Sequence, residues 1–216
     1  MSEHGCPHDI EDVDHRLPLL GTDIDSCDEE TLNIEIFPDR PDLLSGETLS
    51  VAVRSFLHNK PTLEHLSLTE SGIEITVDSE LKTIRPIILG AVVKGLQMKD
   101  DNEMDLFIKN LMDHQEKLHF ALGRGRRRAS IGVHDLNSIQ APFKVRAVPR
   151  THSFIPLATD SEMDIETILT QHPKGVDYAH LLDGMEKVPV IEDATGSVLS
   201  FPPIINGSHT TVHSGT

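Results

Sequence analysis

The sequence predicts an α+β fold. Short runs with every second residue apolar are interspersed with stretches whose apolar residues recur every three or four positions, the two kinds follow no regular strand–helix–strand order, and one helical stripe is long enough for several turns. Composition allows the core such a fold needs. The 216 residues are 38% hydrophobic, and with the 14 glycines the apolar share reaches about 45%, at the low edge of the globular range. That share excludes a wholly disordered chain, and the length is that of one or two domains. The expected layout is a small N-terminal α/β module followed by a larger mixed α+β domain.

Residues 1–16 are polar and acidic and read as a flexible tail. His4, Cys6 and His8 lie within it, but their spacing matches no strong zinc pattern. Leu32, Ile34 and Ile36 alternate with polar residues, which predicts a strand, and Pro38 and Pro41 punctuate a turn after it. Ser45 and Glu47 precede Leu49, Val53, Phe56 and Leu57, a capped helix. Residues 61–83 read as connector and strand, the strand carried by Ile73, Ile75 and Val77. Arg85-Pro86 opens IILGAVV, a continuous β-branched run that predicts a buried strand. Met104, Phe107, Ile108, Leu111, Leu118 and Leu122 share one face of a long helix ended by Gly123, and core packing explains that stripe.

A short apolar strand is expected around Ile131 and Val133, and FKVRAV reads as a half-buried one. A helix is expected over 165–171, stopped by Pro173, with a second short helix from Tyr178 to Leu182. VPVIEDATGSVLSF reads as strand, turn, strand with Gly196 at the turn, and the prolines of FPPIIN fix an extended path. There is no internal repeat.

Charge and motifs exclude several classes. The formal net charge of −16, from 19 basic and 35 acidic residues, argues against a general nucleic-acid coat. The imbalance is local: residues 1–48 carry 14 Asp and Glu against only Arg16 and Arg40. One dense basic stretch, Lys117 with Arg124, Arg126, Arg127 and Arg128, is a candidate phosphate contact, with an exposed solvated loop as the plainer alternative. No run of 18 apolar residues predicts a membrane span, the N-terminus lacks the layout of a signal peptide, and two cysteines make no disulfide scaffold. A reducing cytoplasm is the expected location.

No Gly-rich phosphate loop, GxSxG elbow or HExxH is present, and neither cysteine neighbours a His-rich core segment. Three segments hold what chemistry there is: Gln115–His119 with the basic run, Gly132–Leu136, and Ser200–Gly207. The last combines a Ser, an Asn and backbone amides beside a rigid Pro-Pro, a turn able to present donors to a carbonyl or ester.

The strings FPDRPDLLSGETLSVAVR, RPIILGAVVKGL, QEKLHFALGRGRRRASIGVHDL, PFKVRAV, SFIPL, HPKGVDYAHLL, VPVIEDATGSVLSFPPIING and HTTV resemble, in order, the archaeal and eukaryotic type of phenylalanyl-tRNA synthetase β subunit, over residues 17 to 216. The resemblance implies a B1-like module at 17–60 and a B3/4-type tRNA-editing domain at 84–216. It implies an N-terminal part of a phenylalanine–tRNA ligase β subunit, with an α subunit carrying the synthetic centre, an α2β2 assembly, tRNA(Phe) as partner, and neither membrane nor DNA. No cofactor is implied for this chain, although the full ligase would use ATP and Mg2+. Phenylalanine and tyrosine differ by one hydroxyl, so a second site that hydrolyses the ester of tyrosine to tRNA acts as a second sieve.

Carried over residue by residue, the resemblance implies substrate contact for Ser200 and Asn206 and a water-orienting role for His134. Asp135, Phe201, Pro202, Pro203 and Gly207 are implied to line the same pocket, and Lys117, Arg124, Arg126, Arg127 and Arg128 to meet tRNA phosphates. In relatives the stretch matching HTTVHSGT runs on into a strand with an acidic residue and a Thr-Gly-Thr-Asp pattern that close the pocket. The expectation is therefore an editing domain lacking its C-terminal strand or strands. A free-standing trans-editing hydrolase and a non-catalytic paralogue that binds tRNA or a synthetase subunit are the alternatives.

Overall fold

Alternation of Leu32, Ile34 and Ile36 with polar residues produces the strand it predicts, but that strand has a partner whose own pattern is faint. In the computed structural model, which describes residues 9–58 and 67–216, β2 (Leu32–Ile36) pairs antiparallel with β1 (Thr22–Cys27). Ile24 opposite Ile34 and Cys27 opposite Leu32 are the apolar pairs of this ribbon. The Asp28 carboxylate closes the loop between the strands by accepting from the Glu30 and Thr31 amides at 2.8 and 2.7 Å. His4, Cys6 and His8 lie outside the described residues.

The chain divides into two units. One holds residues up to Thr69 together with Asn110–Gly125; the other holds Glu70–Lys109 with Arg126–Thr216. Residues 110–125 therefore group with the N-terminal unit rather than with the rest of 84–216. In the first unit, α2 (Gly46–His58) starts at a reciprocal cap: the Thr48 amide donates to Ser45 Oγ at 3.2 Å and the Ser45 amide to Thr48 Oγ1 at 3.3 Å. Its Leu49, Val53 and Leu57 bury with Val13, Leu17 and Leu43, each fully buried side chain contributing about 1.5–3 kcal/mol of transfer free energy.

Val13 corrects the expectation of a flexible tail for residues 10–16. Residues Ile10–Arg16 form α1, N-capped by Asp9, which accepts from the Glu11 amide at 3.1 Å. Val13, only 1% exposed, anchors it together with Arg16, whose Nη2 donates to Phe56 O at 3.3 Å and whose guanidinium lies over the Phe56 ring. The long helix, α3 (Asp101–Phe120), occupies its expected place, and the Gly123 amide closes its end on Leu118 O at 2.9 Å. Its stripe is half-buried rather than core, and Leu122 lies exposed beyond its end.

The second unit is built on a five-stranded sheet of order β3 (Ile75–Val77), β4 (Phe143–Pro149), β7 (Lys187–Glu192), β8 (Val198–Phe201), β9 (Ile205–Asn206), with β3 parallel to β4 and the other pairs antiparallel. A two-stranded ribbon, β5 (Ser153–Phe154) with β6 (Met163–Asp164), lies outside that sheet. The β7–β8 turn is held by Asp193, which accepts from the Thr195 and Ser197 amides at 2.9 and 3.1 Å. α4 (Ile165–Gln171) packs Ile165, Ile168 and Leu169 onto Val188, Val190, Val198 and Phe201. Pro173 does not merely stop α4: it opens α5 (Pro173–Tyr178), since a first-turn proline sacrifices no helical hydrogen bond.

Two expected strands are absent. IILGAVV forms no ladder, and Ile87, Leu89 and Val93 are 77%, 89% and 74% exposed. A continuous apolar run becomes a buried strand only when neighbours cover it, and here Gly90 lies near the Ile75 side chain while most of the run stays exposed. Ile131–Val133 is likewise extended without pairing. Among the described residues no helix is long and apolar enough to cross a membrane.

Candidate functional site

The β8–β9 hairpin makes the site, because its register sets two side chains opposite each other. Ser200 pairs with Asn206 across the ladder, and Ser200 Oγ donates to Asn206 Oδ1 at 3.0 Å. Asn206 Nδ2 donates to Val133 O at 3.3 Å, which fixes the amide's orientation and ties the 131–134 segment to the sheet. Gly207 follows where the backbones nearly touch: a Cβ there would lie 2.1 Å from Val198 O, so only glycine fits.

His134 is held against this hairpin from the other side. Its Nδ1 lies 2.9 Å from Thr210 Oγ1, on the turn Ser208–Thr210, and the Thr210 hydroxyl donates to Gly207 O at 3.0 Å. With that proton on Gly207 O, the hydroxyl accepts from His134, so the imidazole carries its hydrogen on Nδ1 and presents a lone pair at Nε2. Burial, reinforced by the nearby His209, pushes the His134 pKa down to about 4, leaving the ring neutral at neutral pH. Nε2 faces Gly132, where a Cβ would come within 2.9 Å of it and 3.2 Å of Asn206 Oδ1. The arrangement offers a neutral acceptor beside an oriented amide, which suits holding a water or a substrate hydroxyl.

The other expected residues divide. Ser200 is 6% exposed and Phe201 is fully buried, so Ser200 acts on Asn206 and Phe201 belongs to the core, in edge-to-face contact with Phe154 at 6.4 Å between centroids. Pro203 and Gly207 are buried, while Pro202 and Asn206 reach the surface in part. Asp135 turns its carboxylate onto its own chain. It is 4% exposed and caps a short turn, accepting from the Asn137 amide and Ser138 Oγ, both at 2.9 Å. The cavity bounded by Glu80, Ile84, Ala147 and residues 184–187 touches none of these groups, and among the described residues no cluster of three His, Cys, Asp or Glu is arranged for a metal.

The basic run also divides. Arg127 and Arg128 are exposed in the second unit; Arg124 is exposed in the first, where Lys117 Nζ donates to Leu44 O at 3.1 Å. Arg126 overturns the expectation of a phosphate contact, for it is 6% exposed and donates to Pro203 O and Ile204 O at 3.1 and 2.8 Å. Gly132 and Thr210 were not among the expected site residues. Thr210 lies in the HTTV string, but nothing in its spacing signals a bond to an imidazole 76 positions away.

Two of three comparisons with known proteins point to the same relatives. No protein-family profile matches the chain. It is 44% identical over 208 residues to the phenylalanine–tRNA ligase beta subunit of Methanococcoides burtonii, covering 96% of this chain and 38% of that protein. It is 45% identical over 203 residues to the same subunit of Methanothrix thermoacetophila, covering 93% and 37%. A crystal structure of an N-terminal fragment of the phenylalanyl-tRNA synthetase beta subunit from Pyrococcus horikoshii superposes with a TM-score of 0.86 at 32% identity, covering 98% of this chain and 61% of that one. The chain thus spans well under half the length of the curated relatives it matches.

Proposed function

From a chain related over nearly its whole length to the N-terminal region of phenylalanine–tRNA ligase beta subunits, we propose that it serves as the corresponding part of such a subunit. In this reading it takes part in phenylalanyl-tRNA formation in the cytoplasm beside an α subunit, in an α2β2 assembly, and hydrolyses tyrosyl-tRNA(Phe). Residues 17–60 act as a B1-like module and 84–216 as a B3/4-like editing domain. The observation that supports hydrolysis is the His134 imidazole, neutral and hydrogen-bonded through Nδ1 to Thr210, with its Nε2 lone pair beside Gly132 and Asn206.

The chemistry asked of these residues is modest. Water attacks the aminoacyl ester, and tyrosine and free tRNA leave. His134 Nε2 accepts a hydrogen from that water and orients it; a group with so low a pKa is a weak base and acts by position. Asn206 has a second Nδ2–H beyond the one on Val133 O and offers it to the substrate, while Ser200 keeps the amide from rotating. Arg127 and Arg128 supply phosphate contacts.

The burial of Ser200 favours a second reading, a chain that binds tRNA or a synthetase subunit without catalysis. The experiment is to incubate the purified chain with tyrosyl-tRNA(Phe) and follow ester loss. Hydrolysis abolished by Asn206→Ala and His134→Ala supports the first reading. Salt-sensitive tRNA binding with no ester loss supports the second.

A further inference from the structure

Proline removes backbone donors, and the turn joining β8 to β9 has two of them in a row. Of Pro202, Pro203 and Ile204, only Ile204 has an amide hydrogen, which goes to Phe201 O at 2.8 Å. Pro203 and Ile204 are themselves buried, so their carbonyls need donors from elsewhere. Arg126 supplies them. Its Nη1 reaches both carbonyls, at 3.1 and 2.8 Å, and its guanidinium lies over the Tyr178 ring, 4.3 Å from the centroid.

The backbone is shaped to deliver this side chain. Arg124, Gly125 and Arg126 take φ of 50°, 61° and 63°, three successive left-handed residues, two of them bearing a Cβ that disfavours that region. Arg85 Nη2 then donates to Arg126 O at 2.8 Å and holds the residue in place. A strained segment that delivers a buried cation onto one turn is a device for fixing that turn.

We propose that Arg126 is a positioning residue for the Ser200–Asn206 site: it clamps the Pro203–Ile204 carbonyls and so keeps the short β8–β9 hairpin in the register that holds Asn206 Oδ1 on Ser200 and Nδ2 on Val133. The proposal rests on the hydrolytic reading of that site. β9 is two residues long, so its ladder alone resists slippage weakly. Lysine keeps the charge but lacks the planar fork and the stack on tyrosine.

The test uses the full chain with Arg126→Lys, Arg126→Gln and Tyr178→Leu, each assayed well below its melting midpoint. Positioning requires that kcat for tyrosyl-tRNA(Phe) hydrolysis fall tenfold or more in Arg126→Gln with KM within twofold, that Arg126→Lys recover part of it, and that the Asn206 side-chain amide resonances shift in Arg126→Gln and Tyr178→Leu. A folded Arg126→Gln with wild-type kcat, or one in which KM alone rises, overturns the proposal; the latter identifies a phosphate contact instead. If the unmodified chain hydrolyses nothing, the hydrolytic reading fails by itself. The Asn206 resonances then decide: unmoved signals overturn the clamp. If Arg126→Gln does not fold, Arg126→Lys and Tyr178→Leu decide by the same readouts.

Discussion

His134 Nδ1 lies 2.9 Å from Thr210 Oγ1, and this pair sets the tautomer of the imidazole at the hairpin, while burial and the nearby His209 set its charge. The folded pKa of about 4 lies below the ordinary value of 6.5, so between these pH values the unfolded chain binds a proton that the folded one does not. The stability linked to His134 is therefore complete above pH 6.5, declines as pH falls toward 4 and is flat below. The whole effect is on the order of 3 kcal/mol. Nitrogen-15 spectra should give a midpoint near 4 and an Nδ1–H signature, and the urea midpoint of wild type minus that of His134→Gln should narrow over the same window. A midpoint near 6.5 refutes the burial argument; Thr210→Val should erase the tautomer preference.

Gly132→Ala addresses the space beside Nε2. The added methyl would lie 2.9 Å from His134 Nε2 and 3.2 Å from Asn206 Oδ1. The methyl must push the His134 ring or the Asn206 amide aside, so folding stability should fall by about 1–3 kcal/mol. Hydrolysis of tyrosyl-tRNA(Phe), assayed well below the variant's melting midpoint, should fall at least tenfold. Undiminished hydrolysis in the alanine variant would place the attacking water elsewhere.

How legible these features were depended on where the cause lay. Phe143–Pro149, Ile165–Gln171 and the Val198–Phe201 hairpin arm follow local periodicity that their neighbours in the fold reinforce. β1 escaped because TDIDSC has a single strongly apolar residue and takes its strand form from pairing with β2. IILGAVV erred the other way, since local pattern reports a capacity to pair and says nothing of whether a partner is at hand. At the site, Ser200, Asn206 and His134 could be picked out by residue type and resemblance. Their roles could not, because the burial of Ser200 and the clamp at Arg126 arise from contacts across long sequence separations, and Asp135 proves to spend its carboxylate on the turn just after it.

Gly207→Ala tests how tightly β8 and its return strand are packed. The methyl would sit 2.1 Å from Val198 O, a backbone atom that cannot swing aside as a flexible side chain would. Relief requires β9 to move, with loss of the Gly207 amide bond to Leu199 O, 2.8 Å long. The expected cost is about 2–3 kcal/mol, read as a lowered urea midpoint at unchanged slope. A variant as stable as the parent would refute the close approach.

Glu192 is a buried carboxylate whose partner is half in water. Arg146 Nη1 donates to both carboxylate oxygens at 2.9 Å, and His152 Nε2 lies 3.6 Å from one of them; the Glu192 side chain is 6% exposed and that of Arg146 50%. Solvent screens the arginine, which limits what the pair contributes as a pair. The asymmetry appears on truncation: Arg146→Ala leaves a charge in the interior beside one imidazole and should cost about 1–3 kcal/mol. Glu192→Gln removes the charge itself and should cost less. Adding Glu192→Gln to Arg146→Ala should therefore restore part of the loss, a sign that only an uncompensated buried charge produces. A urea double-mutant cycle measures this, and simple additivity of the two losses would mean that Glu192 is solvated well enough to need no partner.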